Sequence, residues 1–221
     1  MTEPAARMKE VVARVAPLLR DRGFRKSRHT FNREPEPGLV QVLGFQMGQH
    51  HPPGTVELPG LRPNLYGSFT INLGLWLQEA ETLGRPTPRP KFVRDSDCHV
   101  RWRIGDLLPK RGDWWWRLES PIEELAGLVD SLLADQALPF LDRFGSREEL
   151  LRAWHARDPL VSDYGTAPPF TIAVVHAVRG EHEPAREIIE AELRETDRPE
   201  RRRRILEAAE QLGLGGSFTP P

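Results

Sequence analysis

A strictly alternating segment at residues 66–77 is the feature that most constrains the fold. Its apolar positions are separated by polar residues or glycine: Phe69, Ile71, Leu73, Leu75 and Leu77 alternate with Ser68, Thr70, Asn72 and Gly74. A period of two places successive side chains on opposite faces of a strand. The segment is therefore predicted as a strand with one apolar and one polar face, which is typical of an antiparallel sheet covered on one side.

Shorter segments with the same period predict the remaining strands. They lie at residues 24–27, 30–33, 39–46, 99–104 and 114–118, and the first two form a hairpin. The expected sheet is antiparallel and has about five or six strands.

Helical periodicity is found on both sides of the strand region. Apolar residues recur at helical spacing over residues 3–22 and again over about 121–141, where Pro121 and Glu123 form a capping signal with Ser120. Further helices are predicted at residues 146–154, at 170–178, from 184 and from 197. The predicted fold class is α+β, a sheet covered by the N-terminal helix and the 121–141 helix, followed by a small helical extension.

Two units are predicted along the chain. Residues 1–157 form the α+β domain, and residues 158–221 form the helical extension, with a loose tail from about residue 214. The extension resembles a tetratricopeptide helix pair through Ala177, Gly180, Ala185, Ile189 and Leu193. Because one such pair cannot bury its own apolar face, it must dock on the first domain, the preferred alternative, or on a partner.

Composition favours a cytoplasmic protein that does not cross a membrane. The chain has one cysteine, Cys98, so an intrachain disulfide is excluded and a reducing compartment is favoured. The N-terminal segment lacks the apolar run of a signal peptide. The most apolar stretch, residues 170–178, is shorter than the roughly 20 residues of a membrane-spanning helix.

The formal net charge of −1 comes from two unlike halves. Residues 1–116 carry 18 basic and 12 acidic side chains, and residues 117–221 carry 13 basic and 20 acidic ones. The balance excludes a uniformly basic nucleic-acid binder. It predicts a basic sheet half and an acidic helical half, which can attract each other or oppositely charged partners.

No motif predicts a metal, a cofactor or a nucleophile. His50 and His51 are adjacent, as are Cys98 and His99, and neighbouring strand residues point to opposite faces, which is poor ligand geometry. Walker, dinucleotide-binding and serine-hydrolase motifs are absent from the sequence. The sequence leaves enzymatic activity open and favours its absence, and Cys98 is expected to be a small buried side chain.

The polar face of the sheet carries the candidate site. Asn72 and the pair Arg101 and Arg103 lie on polar faces of their strands, and Gln46 ends another strand. Two arginines spaced two apart present their guanidinium forks side by side, which suits a carboxylate or phosphate. The alternative is that they pair with helix carboxylates or face water. Trp115 must point away from its two tryptophan neighbours, and is therefore expected on a second packing surface.

Two other segments are of interest. The hairpin at residues 22–33 is basic and contains Phe24 and Phe31, a combination that can bind nucleic acid but that also protects a sheet edge. The connection at residues 47–65 is long and rich in proline, glycine and histidine, and it could form a flap over the sheet.

The order of several short motifs resembles a bacterial family of unknown function, DUF4304, over about residues 5–155. The motifs are GFRK at 23–26, FTINLG at 69–74, DCHVRWRIGDL at 97–107, DWWW at 113–116 and LPFL at 138–141. The resemblance implies one α+β domain in a cytoplasmic bacterial protein. It assigns no catalytic role to any residue.

A non-enzymatic protein-binding module is the leading functional hypothesis, with a regulatory or toxin-neutralising role as its concrete form. The first alternative is a small anionic ligand or an enzymatic site on the polar face, formed by Gln46, Asn72, Arg101, Arg103 and Trp115. The second alternative is nucleic-acid binding through the 22–33 hairpin.

Overall fold

The structure, a computed structural model, describes residues 3–48, 64–82, 89–162 and 168–214. It confirms the α+β class: helix α1 (Glu3–Asp21) precedes an antiparallel sheet, and further helices follow it. The strands are β1 (Arg25–Ser27), β2 (Thr30–Glu36), β3 (Leu39–Met47), β4 (Ser68–Leu77), β5 (Val100–Arg103) and β6 (Trp116–Arg117). Their order is β1-β2-β3-β4-β5, and β6 pairs with the beginning of β4. The predicted strand at 114–118 is thus reduced to two paired residues.

The first face of the sheet builds the main core. The apolar positions of β4, such as Ile71 and Leu73, face this core, as the alternation predicts. Helix α1 contributes one buried stripe that includes Met8, Val12 and Leu19. These side chains are removed from water almost completely, so burial of this apolar layer is the main stabilising contribution to the fold.

The second face of the sheet is also covered, which corrects the prediction of a sheet covered on one side. Residues 89–99, here called the covering segment, cross this face. Val93 and Cys98 of the segment pack with Val40, Val42 and Trp76 of the sheet in a separate apolar cluster. Val40 and Val42 of β3 and Trp76 of β4 are apolar, so this part of the face needs a cover.

The helix predicted at 121–141 consists of three pieces. They are α3 (Ile122–Leu132), a π-helical turn (Leu133–Ala137) and α4 (Leu138–Asp142). Pro139 has no N–H to donate to the carbonyl of Asp135, and its ring would clash with that carbonyl in a regular helix. Widening the preceding turn avoids the clash. At the other end, Pro121 occupies the N-cap position and no side chain caps the helix, so the predicted Ser120 cap is not formed.

Short and C-terminal helices complete the chain. Helix α2 (Gln78–Thr82), which the sequence pattern did not predict, directly follows β4; the later helices are α5 (Arg147–His155), α6 (Pro169–Val178), α7 (His182–Glu195) and α8 (Pro199–Gln211). Helix α6 is shared: Ile172 and Val175 join the main core, while Ala173 and Ala177 join a C-terminal cluster with α7 and α8.

Within the described ranges, no helix is both long and apolar enough to cross a membrane. The tail predicted from about residue 214 lies outside the described residues after Leu214.

Candidate functional site

Strand register brings the predicted polar residues together on the second face of the sheet. Thr70 lies opposite Gln46 of β3, and Asn72 lies opposite Arg103 of β5. Arg101 lies opposite Gly74, one step further along the same face. The grouping follows from β4 being the common neighbour of β3, β5 and β6.

Asn72 is the hydrogen-bonding centre of this region. Its Nδ2 donates to Gln46 Oε1 at 2.8 Å and to Asp95 Oδ2 at 2.5 Å. Asp95 comes from the covering segment and was not predicted as part of the group. A side chain at Gly44 would bring its Cβ to 3.0 Å from the Asp95 carboxyl group, so this glycine makes room for the carboxylate. A glycine inside a strand often marks such a close approach, and it is the one sequence signal that points to Asp95.

Arg103 and Trp115 form the outer part of the region. The Arg103 guanidinium forms an ion pair with Asp113 and lies 5.4 Å from the centre of the Trp115 ring, within the range of a cation–π contact. Trp116 points the other way and contacts Phe69 of the main core, with ring centres 5.8 Å apart. Trp115 is thus on the opposite side from Trp116, as the alternation predicts.

Two buried polar atoms in this region have no hydrogen-bond partner. They are the hydroxyl oxygen of Thr70, whose side chain is fully buried, and the indole nitrogen of Trp115. Leaving such an atom unpaired costs about 1–3 kcal/mol. We call Gln46, Thr70, Asn72, Asp95, Arg103 and Trp115 the polar cluster; two of its members, Thr70 and Trp115, keep an unpaired polar atom.

Cys98 has a structural position beside this cluster. Its sulfur packs against Gly74, and burial, followed by the negative charge of Asp95, raises the pKa of the thiol well above its usual range. A thiol held in its protonated form is a poor nucleophile. In the part of the chain that the structure describes, no group of three or more His, Cys, Asp or Glu side chains is arranged to hold a metal; His50 and His51 lie outside that part.

The basic hairpin does not present its aromatic rings to solvent. Phe24 and Phe31 are both buried in the main core, so neither offers a face on which a base could stack. Arg22 and Arg33 of the same segment form ion pairs with Asp142 of α4. Most of the connection at 47–65, the predicted flap, lies outside the described residues.

Fold and polar cluster together define an α+β protein whose antiparallel sheet carries buried polar groups on its second face. The chain belongs to the family described as Domain of unknown function (DUF4304), whose sequence model matches residues 15–143. No curated protein and no solved structure matches the chain.

Proposed function

We propose that this chain is a binding module without a reaction of its own, and that its partner is a protein with acidic side chains at the contact. The observation that carries the proposal is a group of arginine and tryptophan residues on β5 and in the chain that follows it: Arg101, Arg103, Trp114 and Trp115, of which Arg103 and Trp115 are in cation–π contact. Arg101 is exposed, and Trp114 is 38% exposed although it is a large aromatic residue. Tryptophan and arginine are the residue types that dominate binding energy in protein interfaces.

The charge of this group favours an acidic partner. Arg101 has no acidic partner among the described residues, so its guanidinium is available. Arg103 shares its charge with Asp113. A guanidinium offers two parallel N–H donors to a carboxylate, which gives both affinity and orientation.

A cytoplasmic bacterial setting with a regulatory or toxin-neutralising role is part of the proposal. The single cysteine, Cys98, is consistent with a reducing compartment. No catalytic motif in the sequence argues for a reaction.

The test compares two surface double variants in affinity capture followed by size-exclusion chromatography of the purified complex. Arg101→Ala/Trp114→Ala removes the proposed contact. Arg203→Ala/Leu206→Ala on α8 is the matched control, because Leu206 is also 38% exposed. We expect the first variant to lose the stoichiometric complex and the control to retain it. Loss of the complex in the control variant alone would place the contact on the C-terminal helices. Equal capture of the partner by both variants would also overturn the proposal.

A second candidate, binding of a small molecule at the polar cluster, is favoured by the unpaired atoms of Thr70 and Trp115. Because Asp95 also faces the cluster, the ligand should carry an anionic group for Arg103 and a donor for Asp95. Titration calorimetry with phosphate, acetate and glycine distinguishes these requirements. We expect glycine to bind better than the two simple anions, and Thr70→Val to weaken its binding. Absence of heat with all three probes contradicts this candidate.

A further inference from the structure

A chain of three titratable side chains connects the end of α5 to the C-terminal helices. His155 Nε2 lies 3.1 Å from His176 Nε2, and His176 Nδ1 lies 2.6 Å from Glu181 Oε2. His155 is the last residue of α5, His176 is in the last turn of α6, and Glu181 immediately precedes α7. Three elements therefore meet at a single hydrogen-bonded chain.

Among the described residues, few other charged groups contact these imidazoles, and His155 is exposed at the end of α5. His176 is buried, at 3% side-chain exposure, and Arg179 also binds the Glu181 carboxylate, at 3.0 Å. The hydrogen bond from His176, followed by that from Arg179, lowers the pKa of Glu181.

Helix α2 packs on α6 as well, and its two acidic side chains already have partners. Glu79 binds Arg147, and Glu81 lies 3.6 Å from His99. His182 and Glu183, in the first turn of α7, are exposed, and so is Arg152 on α5, which is paired with Glu148.

The number of protons on the two rings decides whether the chain can persist. Because Glu181 accepts a hydrogen bond, His176 carries a proton on Nδ1, and the facing Nε2 atoms share one further hydrogen between them. The two rings satisfy this arrangement when both are neutral or when one is charged. When both are charged, two N–H donors face each other at a distance suited to only one hydrogen.

We propose that His155, His176 and Glu181 form a proton-sensitive latch between α5 and the C-terminal helices. The latch holds while the histidine pair carries at most one extra proton and opens when both rings are protonated. Opening loosens α6, whose Ile172 and Val175 lie in the main core and whose Ala173 and Ala177 lie in the C-terminal cluster. The docking of the C-terminal helices on the sheet domain thereby becomes pH-dependent.

His155→Gln tests the latch, because the glutamine amide oxygen accepts from a charged His176 and cannot itself be protonated in this range. Because the facing Nε2 atoms of the latch have room for one hydrogen, the closed latch accommodates one extra proton, whereas the unfolded pair accommodates two. By linkage, the unfolding equilibrium constant of the wild type therefore rises as the pH falls. The rise per pH unit is up to about tenfold larger than in the His155→Gln variant. Urea unfolding of the full chain between pH 7.5 and pH 5 measures this difference.

His182→Gln is the matched control, since this exposed histidine lies one residue from Glu181 but outside the latch. Burial lowers the pKa of His29 and of His99, so both add to the pH dependence, but equally in every variant. We expect the control to follow the wild type. The proposal is overturned if His155→Gln shows the wild-type slope, or if His182→Gln reduces the slope as strongly.

Amide hydrogen exchange gives a second readout that locates the effect. After correction for intrinsic rates, exchange in α6 of the wild type should accelerate at pH 5 relative to pH 7.5, and exchange in β4 should change less. In His155→Gln the acceleration in α6 should be absent. An equal acceleration of α6 in both proteins contradicts the latch.

Discussion

Gly74 shows how the absence of one side chain allows a second layer to pack on the sheet. A Cβ at this position would lie 2.6 Å from the sulfur of Cys98 and 3.1 Å from the carbonyl oxygen of Val100. The first distance is far shorter than any ordinary contact. The covering segment therefore depends on glycine here for its closeness to the sheet, in the same way that Asp95 depends on Gly44.

Gly74→Ala is expected to destabilise the protein by about 1–3 kcal/mol, the usual cost of an overpacked interior. The backbone carbonyl of Val100 cannot move out of the way without disturbing the pairing of β4 with β5. Urea denaturation with tryptophan fluorescence measures the change. Replacing Cys98 by glycine in the same chain should restore part of the loss.

The matched control is Gly127→Ala in the middle of α3, where an added Cβ meets nothing within 4 Å. This change should stabilise the protein by about 0.5–1 kcal/mol, because alanine loses less backbone entropy in a helix. Similar effects of the two alanine substitutions would contradict the packing argument.

At the scale of elements, Arg147 joins three parts of the chain that are distant in sequence. Its guanidinium donates to both carboxylate oxygens of Glu79 on α2, at 2.6 and 2.7 Å. Its backbone N–H donates to Glu36 Oε2 at the end of β2, at 2.8 Å. The Glu79 side chain is only 8% exposed, so this pair is shielded from water far more than a surface ion pair.

Glu79→Gln is expected to destabilise the protein by about 2 kcal/mol, because it leaves the largely shielded Arg147 with Glu36 as its remaining counter-charge. Chemical denaturation measures the loss. Glu148→Gln on α5 breaks an ion pair with Arg152 in which both side chains are more than 60% exposed. This control should change stability by less than about 1 kcal/mol, as surface pairs do. A comparable loss in both variants would show that burial of the Glu79 pair has little energetic effect.

These elements differ in how far they can be predicted from sequence. The apolar alternation of β4 and the stripe of α1 are local patterns, and the structure contains both. Helix α2 is too short to have a detectable period. The π-helical turn depends on Pro139, whose presence in the sequence indicates a disturbance but not which kind.

The polar cluster, too, can be predicted from the sequence only in part. Gln46, Asn72 and Arg103 share a face that strand alternation predicts. The sequence does not give the register of the three strands, which brings these residues together. Asp95 arrives from a non-periodic segment, so its approach to Asn72 depends on the tertiary structure. Thr70 is distinguished by its burial and its unpaired hydroxyl, and both depend on the tertiary structure.

Across the whole molecule, part of the charge asymmetry between the two halves is used internally. Asp142 of α4 binds Arg22 and Arg33, and Glu123 of α3 binds Arg14 of α1. Acidic residues of the helical half thus hold basic residues of the sheet half. The surface left for partners is smaller than the formal charges of the halves suggest.

Acid should destabilise the whole molecule partly through Glu34. Hydrogen bonds from Arg89, and then from the backbone of Gly38, lower the pKa of this carboxylate in the folded state. Its stabilising contribution is therefore present above the unfolded glutamate pKa of about 4.3 and is lost as the pH falls through the lower folded value. Glu34→Gln should lose less stability than the wild type between pH 5 and pH 3, measured by urea unfolding. Glu124→Gln, exposed on α3, serves as the control and should match the wild type.

The position of β4 in the sheet also affects how the protein avoids self-association. Its ten residues contain neither charge nor proline, which makes it the segment best suited to pair with another copy in an unwanted cross-β contact. Over the described ranges, the sheet ends at β1 on one side and at β5 and β6 on the other. These strands have three, four and two residues, and each carries a basic side chain. Short, charged edges discourage the addition of foreign strands. Partner binding at the β5 edge is therefore expected to proceed through side chains rather than through extension of the sheet.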